Sequence, residues 1–290
     1  MFKITAQQAN ELARELRDPR GRYEVGQTMM EPFREGRDYV ALGRKVFGVD
    51  YVEPGAPMWY DKDPQFSAVT ISELGGVPKE EIYGERVELT AFPIAVLVRI
   101  PAIEVAVRRF RILDREQVRA RAEMAEREDT EVLSALATGA TAAITAGNTA
   151  AVTGTSGVTR TVLANLYSQI EQNDAPVENV IFHAANYRDI RKWTGTDFDP
   201  VTRRELLKTG YMGDLWGASL RITKKQTSGT VYACAGPEFL GVISVRIDLD
   251  QMDAPMGELL QFGWVFYEYI GIAVLTTVGV ARLTVTGEYS

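Results

Sequence analysis

The residues of this chain that could do chemistry are few, and their spacing fits none of the common catalytic or metal-binding patterns. His183 is the only histidine and Cys234 the only cysteine. A zinc site needs several such ligands, and neither an HExxH nor a CxxC pattern occurs. A serine nucleophile would need His183 as its base, and the sequence has no Gly-x-Ser-x-Gly elbow. We therefore expect His183 to be a structural residue at the end of a strand, and Cys234 to pack as a small hydrophobic side chain.

Two groups of aspartates could suggest a metal site. Asp248, Asp250 and Asp253 are close in sequence, but a calcium loop also needs a central glycine and a terminal glutamate, and D-L-D-Q-M-D has neither. We expect a solvated or interface turn there. Asp197 and Asp199, in GTDFDP, are typical of turn chemistry. No metal site is predicted from either group.

Four further carboxylates, Glu126, Glu128, Asp129 and Glu131, could imitate a catalytic acid–base pair. A solvated helix face explains them without further assumption, because the surrounding stretch is rich in charge of both signs. The glycine-containing stretch 137–158 has neither a Walker lysine nor a Gly-x-Gly-x-x-Gly pattern, so it predicts no phosphate-binding loop. We interpret it as a frayed helix end followed by a flexible connection. The sequence thus predicts no cofactor and no enzymatic activity.

The most prominent predicted element is one long charged helix, from Asp114 to about residue 138. Asp114 followed by Gln117 is a capping signal, and Gly139 offers a stop. One side is apolar at three- and four-residue steps: Val118, Ala122, Ala125, Val132, Leu133 and Leu136. Because so narrow a stripe buries little by itself, we expect other elements or other subunits to cover it.

Upstream of this helix the chain lacks the material for a compact domain. Residues 1–50 are mostly polar apart from one short predicted helix, and we interpret them as an arm laid along something else. A strand Gln65–Leu74, a polar tip Val77–Gly84 and a return strand from about Arg86 to Ile100 predict a hairpin. A two-stranded hairpin alone is marginal in water, and its free edges invite pairing. This part of the sequence therefore hints at assembly.

Downstream of the helix the pattern is that of an ordinary α/β unit. Helices are predicted around Val162–Ile170 and Tyr187–Trp193, with a short helical piece around Arg203 to Leu207. Strands are predicted at Val180–His183, Ser219–Ile222, Thr230–Ala235, Phe239–Ile247, Leu259–Gly271 and Ala273–Thr286. With the hairpin and the long helix, these elements give an α+β fold class.

The composition is that of a soluble, assembling protein. The 290 residues carry a formal net charge of −7, which disfavours a generally basic nucleic-acid binder but not a container for DNA. A single cysteine allows no intrachain disulfide. The N-terminus lacks the apolar core of a signal peptide, and the apolar run Tyr269–Ala281 is shorter than the about 20 residues that a bilayer requires. We expect no membrane span.

Five stretches follow one another along the chain in a recognisable order. They are VRIPAIEV, LDREQVRARAEMAEREDTEVLSALATGA, VIFHAANYRDIRKW, KTGYMGDLWGASLRIT and GWVFYEYIGIAVLTTVGVARLTV. With the arm and hairpin before them, they resemble the major capsid proteins of tailed bacteriophages, whose Hong Kong 97-like shell fold is shared with encapsulins. The segment from Gly210 to Gly217 looks like the family's glycine-marked turn before a strand. The resemblance covers most of the chain.

The resemblance implies a division of this α+β fold into four parts. These are an N-terminal arm (1–50), an extended hairpin loop (51–97), a peripheral domain with the spine helix (98–157 and 238–275) and an axial domain (158–237 and 276–290). Intersubunit contacts are expected at hairpin residues: Phe66, Val69, Ile71, Lys79, Glu80, Ile82 and Tyr83. Some relatives crosslink a hairpin lysine to an asparagine, and Lys62 and Lys79 lie in or near this hairpin, but no partner asparagine can be identified.

The implied function is structural. A head subunit of this kind self-assembles through pentamers and hexamers into an icosahedral shell enclosing double-stranded DNA, in a virion assembled in the host cytoplasm. Its expected partners are copies of itself, with a separate scaffolding protein, a portal and decoration proteins. Neither sequence-specific DNA binding nor a membrane is implied.

Two other functions stay open from the sequence. An encapsulin-type shell would house a cargo protein, although encapsulins usually begin with a helix, and the polar run from Gly21 to Asp50 favours the capsid. A more distant alternative is an α/β enzyme or ligand-binding protein, which would behave as a small oligomer with a cleft. Particle formation separates the shell from the enzyme, and particle contents separate the two shells.

Overall fold

The computed structural model describes residues 18–25, 27, 42–61, 86–101, 111–193, 213–256 and 259–287. The helices of these residues are α1 (19–25), α2 (Gly43–Val46), α3 (Arg111–Thr145), α4 (Arg160–Glu171), α5 (Ala184–Lys192) and α6 (Pro237–Leu240). The strands of these residues are β1 (Gly48–Tyr51), β2 (Trp59–Asp61), β3 (Arg86–Glu88), β4 (Phe92–Pro101), β5 (Val152–Gly154), β6 (Val177–His183), β7 (Asp214–Leu215), β8 (Ala218–Thr223), β9 (Thr230–Ala235), β10 (Gly241–Asp253), β11 (Gln261–Val274) and β12 (Val280–Val285). The chain is therefore α+β, as predicted.

A four-stranded sheet and the long helix α3 enclose one hydrophobic core. The strand order is β1-β10-β11-β4, with β1 parallel to β10 and the other pairs antiparallel. Val132 and Leu136 of α3 are buried in one cluster with Ile243 of β10 and with Trp264 and Phe266 of β11. The predicted dependence of the helix on other elements is met here by the sheet of the same chain.

A six-stranded sheet of order β5-β12-β9-β6-β8-β7 carries a second core. Leu163, Leu166 and Ile170 of α4 are buried in one cluster with Val180 and Phe182 of β6. The period of the apolar residues predicts these elements from sequence, and α4, α5, β6, β8 and β9 lie where they are predicted.

The long helix is longer than its sequence signals predict, because Gly139 does not end it. Residues 137–145 continue α3, so the predicted frayed end and flexible connection are wrong there, and 152–154 form strand β5. Gly139 lies buried inside the helix, and a Cβ built on it would lie 2.7 Å from Val274 Cγ2 on β11. The glycine is explained by this close approach of helix and strand, not by a helix stop.

The buried face of α3 also differs from the predicted apolar stripe. Val118 is 56% exposed and Ala122 is exposed, whereas Ala120 and Met124 are buried. The predicted stripe is correct from Ala125 onward but wrong in the first turns. The face of α3 that carries Met124 packs against the core. One turn further along the helix, the same face carries charged residues.

The described parts of the arm pack against their own chain, which corrects the prediction of an arm laid along something else. Leu42, Val46 and Phe47 are buried in the core of the four-stranded sheet. Strand β1 then extends that sheet by pairing with β10, from Gly48 opposite Val242 to Tyr51 opposite Val245.

Three further sequence predictions change in detail. The return strand of the hairpin is divided into β3 and β4, and β3 pairs with β2. The strand predicted from Phe239 begins as the helical turn α6. The expected turn at Asp248, Asp250 and Asp253 is wrong, because these residues lie in strand β10, whose register with β11 shifts between Val245 and Asp250. The predicted elements Gln65–Leu74 and Arg203–Leu207 lie outside the described residues.

Candidate functional site

A buried cluster of charged side chains joins the arm to the helix and the sheet. Arg44 Nε of α2 donates to Glu128 Oε1 of α3 at 2.9 Å, and Arg44 Nη2 lies 3.4 Å from Glu268 Oε2 of β11. The side chains of Arg44, Glu128 and Glu268 are 5%, 1% and 0% exposed. We call these three residues the arm clasp.

The arm clasp lies at the meeting point of three elements that are far apart in sequence. Glu268 is the only charged residue of β11, and it lies opposite Ile94 of β4 in the middle of the four-stranded sheet. Glu128 lies on the core side of α3, which corrects the prediction that it belongs to a solvated helix face. A guanidinium group presents several donors in a rigid fork, so a single arginine can bind both carboxylates.

Asp129, the neighbour of Glu128, caps the short helix α2. Its Oδ1 accepts hydrogen bonds from Leu42 N at 2.7 Å and Gly43 N at 3.3 Å, and its Oδ2 lies 3.5 Å from Lys225 Nζ. Burial raises the pKa of the Asp129 carboxyl, and the two amides and Lys225 oppose that rise. Asp129 is therefore a second fastening point for the arm, and the solvated role predicted for it is also wrong.

The strand that follows α2 is held by polar contacts at its outer end. Tyr60 of β2 donates from its hydroxyl to Asp50 Oδ2 of β1 at 2.6 Å. Burial, followed by this hydrogen bond, raises the pKa of Tyr60 to about 12. Arg246 Nη2 of β10 donates to the Ala56 carbonyl at 2.7 Å in the connection between the two strands.

Helix α1 is bound by the same sheet through its backbone. Trp264 Nε1 donates to the Arg22 carbonyl at 3.1 Å, and Gln251 Nε2 donates to the Tyr23 carbonyl at 3.0 Å. Arg22 also pairs with Asp253 of β10 at 3.5 Å. The aspartate that sequence spacing associated with calcium thus binds an arginine of the arm.

The lone histidine and the lone cysteine have the structural roles that were predicted. His183 ends β6 and caps α5, with Nδ1 accepting from Ala185 N at 3.1 Å. Cys234 is fully buried in β9, and burial raises the pKa of its thiol to about 12. Within the described ranges no three His, Cys, Asp or Glu side chains group as metal ligands. The contacts of His183, Cys234 and the arm clasp hold chain segments together.

The predicted contact residues of the hairpin are not placed by the described residues. Phe66, Val69, Ile71, Lys79, Glu80, Ile82 and Tyr83 all lie in the undescribed range 62–85, as Asp197 and Asp199 do in the range 194–212. Sequence reasoning missed the clasp residue Arg44, although the isolated Glu268 in an apolar strand was a usable signal. A buried strand carries such a charge only when a partner neutralises it.

Exposed apolar side chains lie at the end of the β10–β11 hairpin. Leu259 and Leu260 are 60% and 74% exposed, and Met252 and Met256 beside them are also exposed. Leu260 has φ +49, a backbone conformation that leucine rarely adopts. These exposed apolar side chains at the hairpin tip mark a candidate contact with another molecule.

Comparison with solved structures gives likenesses that span most of the chain. A chain of Microbacterium phage Oxtober96 matches with TM-score 0.63 and 17% identity, covering 84% of this chain and 91% of that one. The capsid structure of cyanophage P-SCSP1u matches with TM-score 0.63 and 14% identity, covering 83% and 86%. The crystal structure of a virus-like particle from Pyrococcus furiosus matches with TM-score 0.54 and 14% identity, covering 90% and 98%.

Sequence comparison adds nothing to these likenesses. Neither a protein-family model nor a curated protein sequence matches this chain. At identities this low the structural likeness shows the fold alone. In the described part of the chain, no helix is long and apolar enough to span a bilayer.

Proposed function

We propose that this chain, which has the Hong Kong 97-like capsid fold, is a structural subunit that assembles with copies of itself into a closed shell. The single observation that carries the proposal is the extent of the likeness to Microbacterium phage Oxtober96, which covers 84% of this chain and 91% of that one. A likeness that spans both chains supports a whole shell subunit in preference to a domain borrowed for another task.

The finer function that we propose is that of a major capsid protein. Pentamers and hexamers of the chain build an icosahedral shell around double-stranded DNA in a virion that is assembled in the host cytoplasm. The phage structures among the likenesses support this choice of contents. The net charge of −7 supports it too, because a negative wall repels DNA phosphates and does not trap its cargo.

The proposed division into parts agrees with the two sheets in most elements, but β5 lies in the proposed peripheral range and belongs to the six-stranded sheet. Of the peripheral ranges 98–157 and 238–275, the structure gives α3, β10 and β11, which share one core. Of the axial ranges 158–237 and 276–290, it gives α4, α5, β6, β8, β9 and β12, which share the other. These two cores support a peripheral and an axial domain, with the arm and the hairpin loop added to the first.

Exposed apolar groups support contacts between copies. The tip residues Leu259 and Leu260 are exposed in the described part of the chain, and a shell contact between unlike surfaces of two copies would cover them. The hairpin residues that sequence singled out, from Phe66 to Tyr83, are proposed as a second contact region. A scaffolding protein, a portal and decoration proteins are proposed as further partners.

Assembly is tested on the purified protein by light scattering and negative-stain imaging, at several salt and protein concentrations. We expect closed particles or capsomers. The double substitution Leu259→Ser with Leu260→Ser should reduce particle yield, while Val118→Ser, at another exposed apolar side chain, should not. A protein that stays monomeric under every condition, with and without proteins co-expressed from the same source, contradicts the proposal.

A nanocompartment shell that houses a cargo protein is the second candidate, because one likeness is to a particle named virus-like and not to a phage. The virus-like particle from Pyrococcus furiosus is covered over 98% of its chain, the highest share among the three likenesses described. Particle contents distinguish the two shells. Nuclease-protected DNA in particles from the natural source supports the capsid, whereas a co-purifying protein cargo without DNA supports the nanocompartment.

A further inference from the structure

A loop of the six-stranded sheet reaches the docking point of the arm. This loop, residues 224–229, connects β8 to β9, and Lys225 Nζ in it lies 3.5 Å from Asp129 Oδ2 of α3. The other oxygen of Asp129, Oδ1, accepts from the amides of Leu42 at 2.7 Å and Gly43 at 3.3 Å. One carboxylate of the long helix therefore contacts both the arm and the second sheet.

The loop that carries Lys225 has a shape fixed by its own hydrogen bonds. Gln226 is 5% exposed, and its Nε2 donates to the Thr230 carbonyl at 2.8 Å. Asn186 of α5 donates from Nδ2 to the same carbonyl at 3.2 Å, and its Oδ1 accepts from Gly229 N at 3.2 Å. These bonds tie the loop to α5 and to the start of β9, so a movement of this part of the sheet carries Lys225 with it.

The contacts of Asp129 with the arm and with the loop support each other, because they use different oxygen atoms. The side chains of Lys225 and Asp129 are 18% and 9% exposed, so the pair is largely shielded from water. Burial raises the pKa of the Asp129 carboxyl, whereas the Lys225 ammonium favours its charged form. Amides bind a charged carboxylate more strongly than a neutral one. Lys225 therefore strengthens the amide hydrogen bonds that hold the arm.

We propose that Lys225 is a positioning residue that couples the docking of the arm to the six-stranded sheet through Asp129. Such coupling is reciprocal, so a docked arm also holds the loop against α3. The arm clasp fastens the arm to α3 and the four-stranded sheet, whereas Asp129 and Lys225 extend the fastening to the second sheet.

Glu126 is a second acid close to Lys225, and it offers an alternative partner. Its Oε2 lies 4.0 Å from Lys225 Nζ, and its side chain is 53% exposed. An ion pair this long and this exposed contributes little. Asp129 is closer to the ammonium and better buried, so we assign the coupling to Asp129.

The experiment measures amide hydrogen exchange of the full chain by mass spectrometry, on the unassembled subunit. Exchange at residues 42–47 reports the docking of the arm, and exchange in α4 reports the second core. The test variants are Lys225→Gln and Lys225→Met, and the matched control Lys224→Gln removes the neighbouring charge of the same loop. Asp129→Asn, alone and combined with Lys225→Gln, completes a double-mutant cycle. Because one subunit is measured, the result does not depend on the proposed shell.

We expect both Lys225 variants to speed exchange at residues 42–47 by about 5-fold or more, the lower end of typical coupling between two sites, with α4 unchanged. Lys224→Gln and Glu126→Gln should leave the arm protected, and Lys225→Arg, which keeps the charge, should too. In the Asp129→Asn background the Lys225 substitution should add nothing, because its acceptor is gone.

Three results would overturn the coupling. The first is equal acceleration by the Lys224 and Lys225 variants, which would make the effect one of general charge. The second is a full effect of Lys225→Gln in the absence of Asp129, which would place the contact elsewhere. The third is equal acceleration at residues 42–47 and in α4, which would show a loss of overall stability.

Discussion

Arg44 and Glu128 are 84 positions apart in the chain, yet Arg44 Nε lies 2.9 Å from Glu128 Oε1 and both side chains are buried. A surface ion pair contributes little to the stability of the fold. Removing one partner of a buried pair costs much more free energy, because the remaining charge stays out of water. The arm clasp therefore makes the docking of the arm all-or-none.

Arg44→Ala should lower the free energy of unfolding by about 3–5 kcal/mol, because it leaves Glu128 and Glu268 buried without their cation. Urea unfolding of the subunit measures the change. The control Arg20→Ala breaks a pair with Glu24 whose side chains are 87% and 68% exposed, and it should cost less than about 0.5 kcal/mol. Equal effects of the two substitutions would show that the clasp does not hold the arm.

Asp129→Asn should change how stability depends on pH. The raised pKa of Asp129 means that the folded state binds a proton more tightly than the unfolded state, whose pKa is near the ordinary value of 3.8. The stability that this provides is present below the unfolded pKa and is lost as pH rises through the folded pKa. Relative to the Asn variant, the unmodified chain should gain stability from pH 7 down to pH 3.5. Urea unfolding across that range checks the sign, and a relative loss would contradict it.

Gly139→Ala should destabilise the protein even though alanine is the better helix former. Alanine gains about 1 kcal/mol of helix propensity, but its Cβ would lie 2.7 Å from Val274 Cγ2, and such overpacking costs about 1–3 kcal/mol. The same substitution in a Val274→Gly background should be neutral or stabilising, because that background removes the Val274 Cβ, Cγ1 and Cγ2 atoms that lie within 3 Å of the new Cβ. Thermal unfolding of the four proteins in this cycle measures the coupling, and additive effects would rule out the contact.

His183→Ala should cost about 0.5–2 kcal/mol, the usual effect of removing a helix cap. The hydrogen bond from Ala185 N to His183 Nδ1 is what the substitution removes. His183→Asp supplies another cap acceptor and should recover most of the loss. If Asp and Ala are equally destabilising in urea, His183 has a role other than capping.

Cys234 should resist thiol reagents in the folded protein. The thiolate is the reactive form, and burial raises the pKa of the Cys234 thiol to about 12, so little thiolate exists at pH 8. Reaction with a chromogenic disulfide should be very slow in buffer and should reach one thiol per chain in urea. Fast labelling of the folded subunit would mean that the strand opens readily.

Local patterns predicted the elements of the second core well. Apolar residues at helical spacing predicted α4 and α5, and β-branched runs predicted β6, β8 and β9. These predictions depend only on the spacing of residues within each element, so no distant contact was needed. The Hong Kong 97-like fold inferred from the order of the motifs is confirmed by the structural likenesses. Order along the chain was the informative feature, since no single motif was specific.

Partners remote in sequence account for what local patterns missed. Glu128 and Asp129 look solvated in their own stretch, but Arg44, Lys225 and the amides of α2, all remote in sequence, bind them in the interior. Gly139 looks like a helix stop, and only Val274 explains it as a close approach. Local spacing carries no information about either contact.

Some residues that are in contact lie far apart in sequence, and these separations set the order in which parts of the chain can fold. Arg246 and Ala56 are 190 positions apart, and Trp264 and Arg22 are 242 positions apart. At about 5–20 residues per second on the ribosome, the leading segment is made about 10–50 s before the strands that receive it. This segment is therefore synthesised before the strands that bind it, and it cannot dock until those strands have left the ribosome.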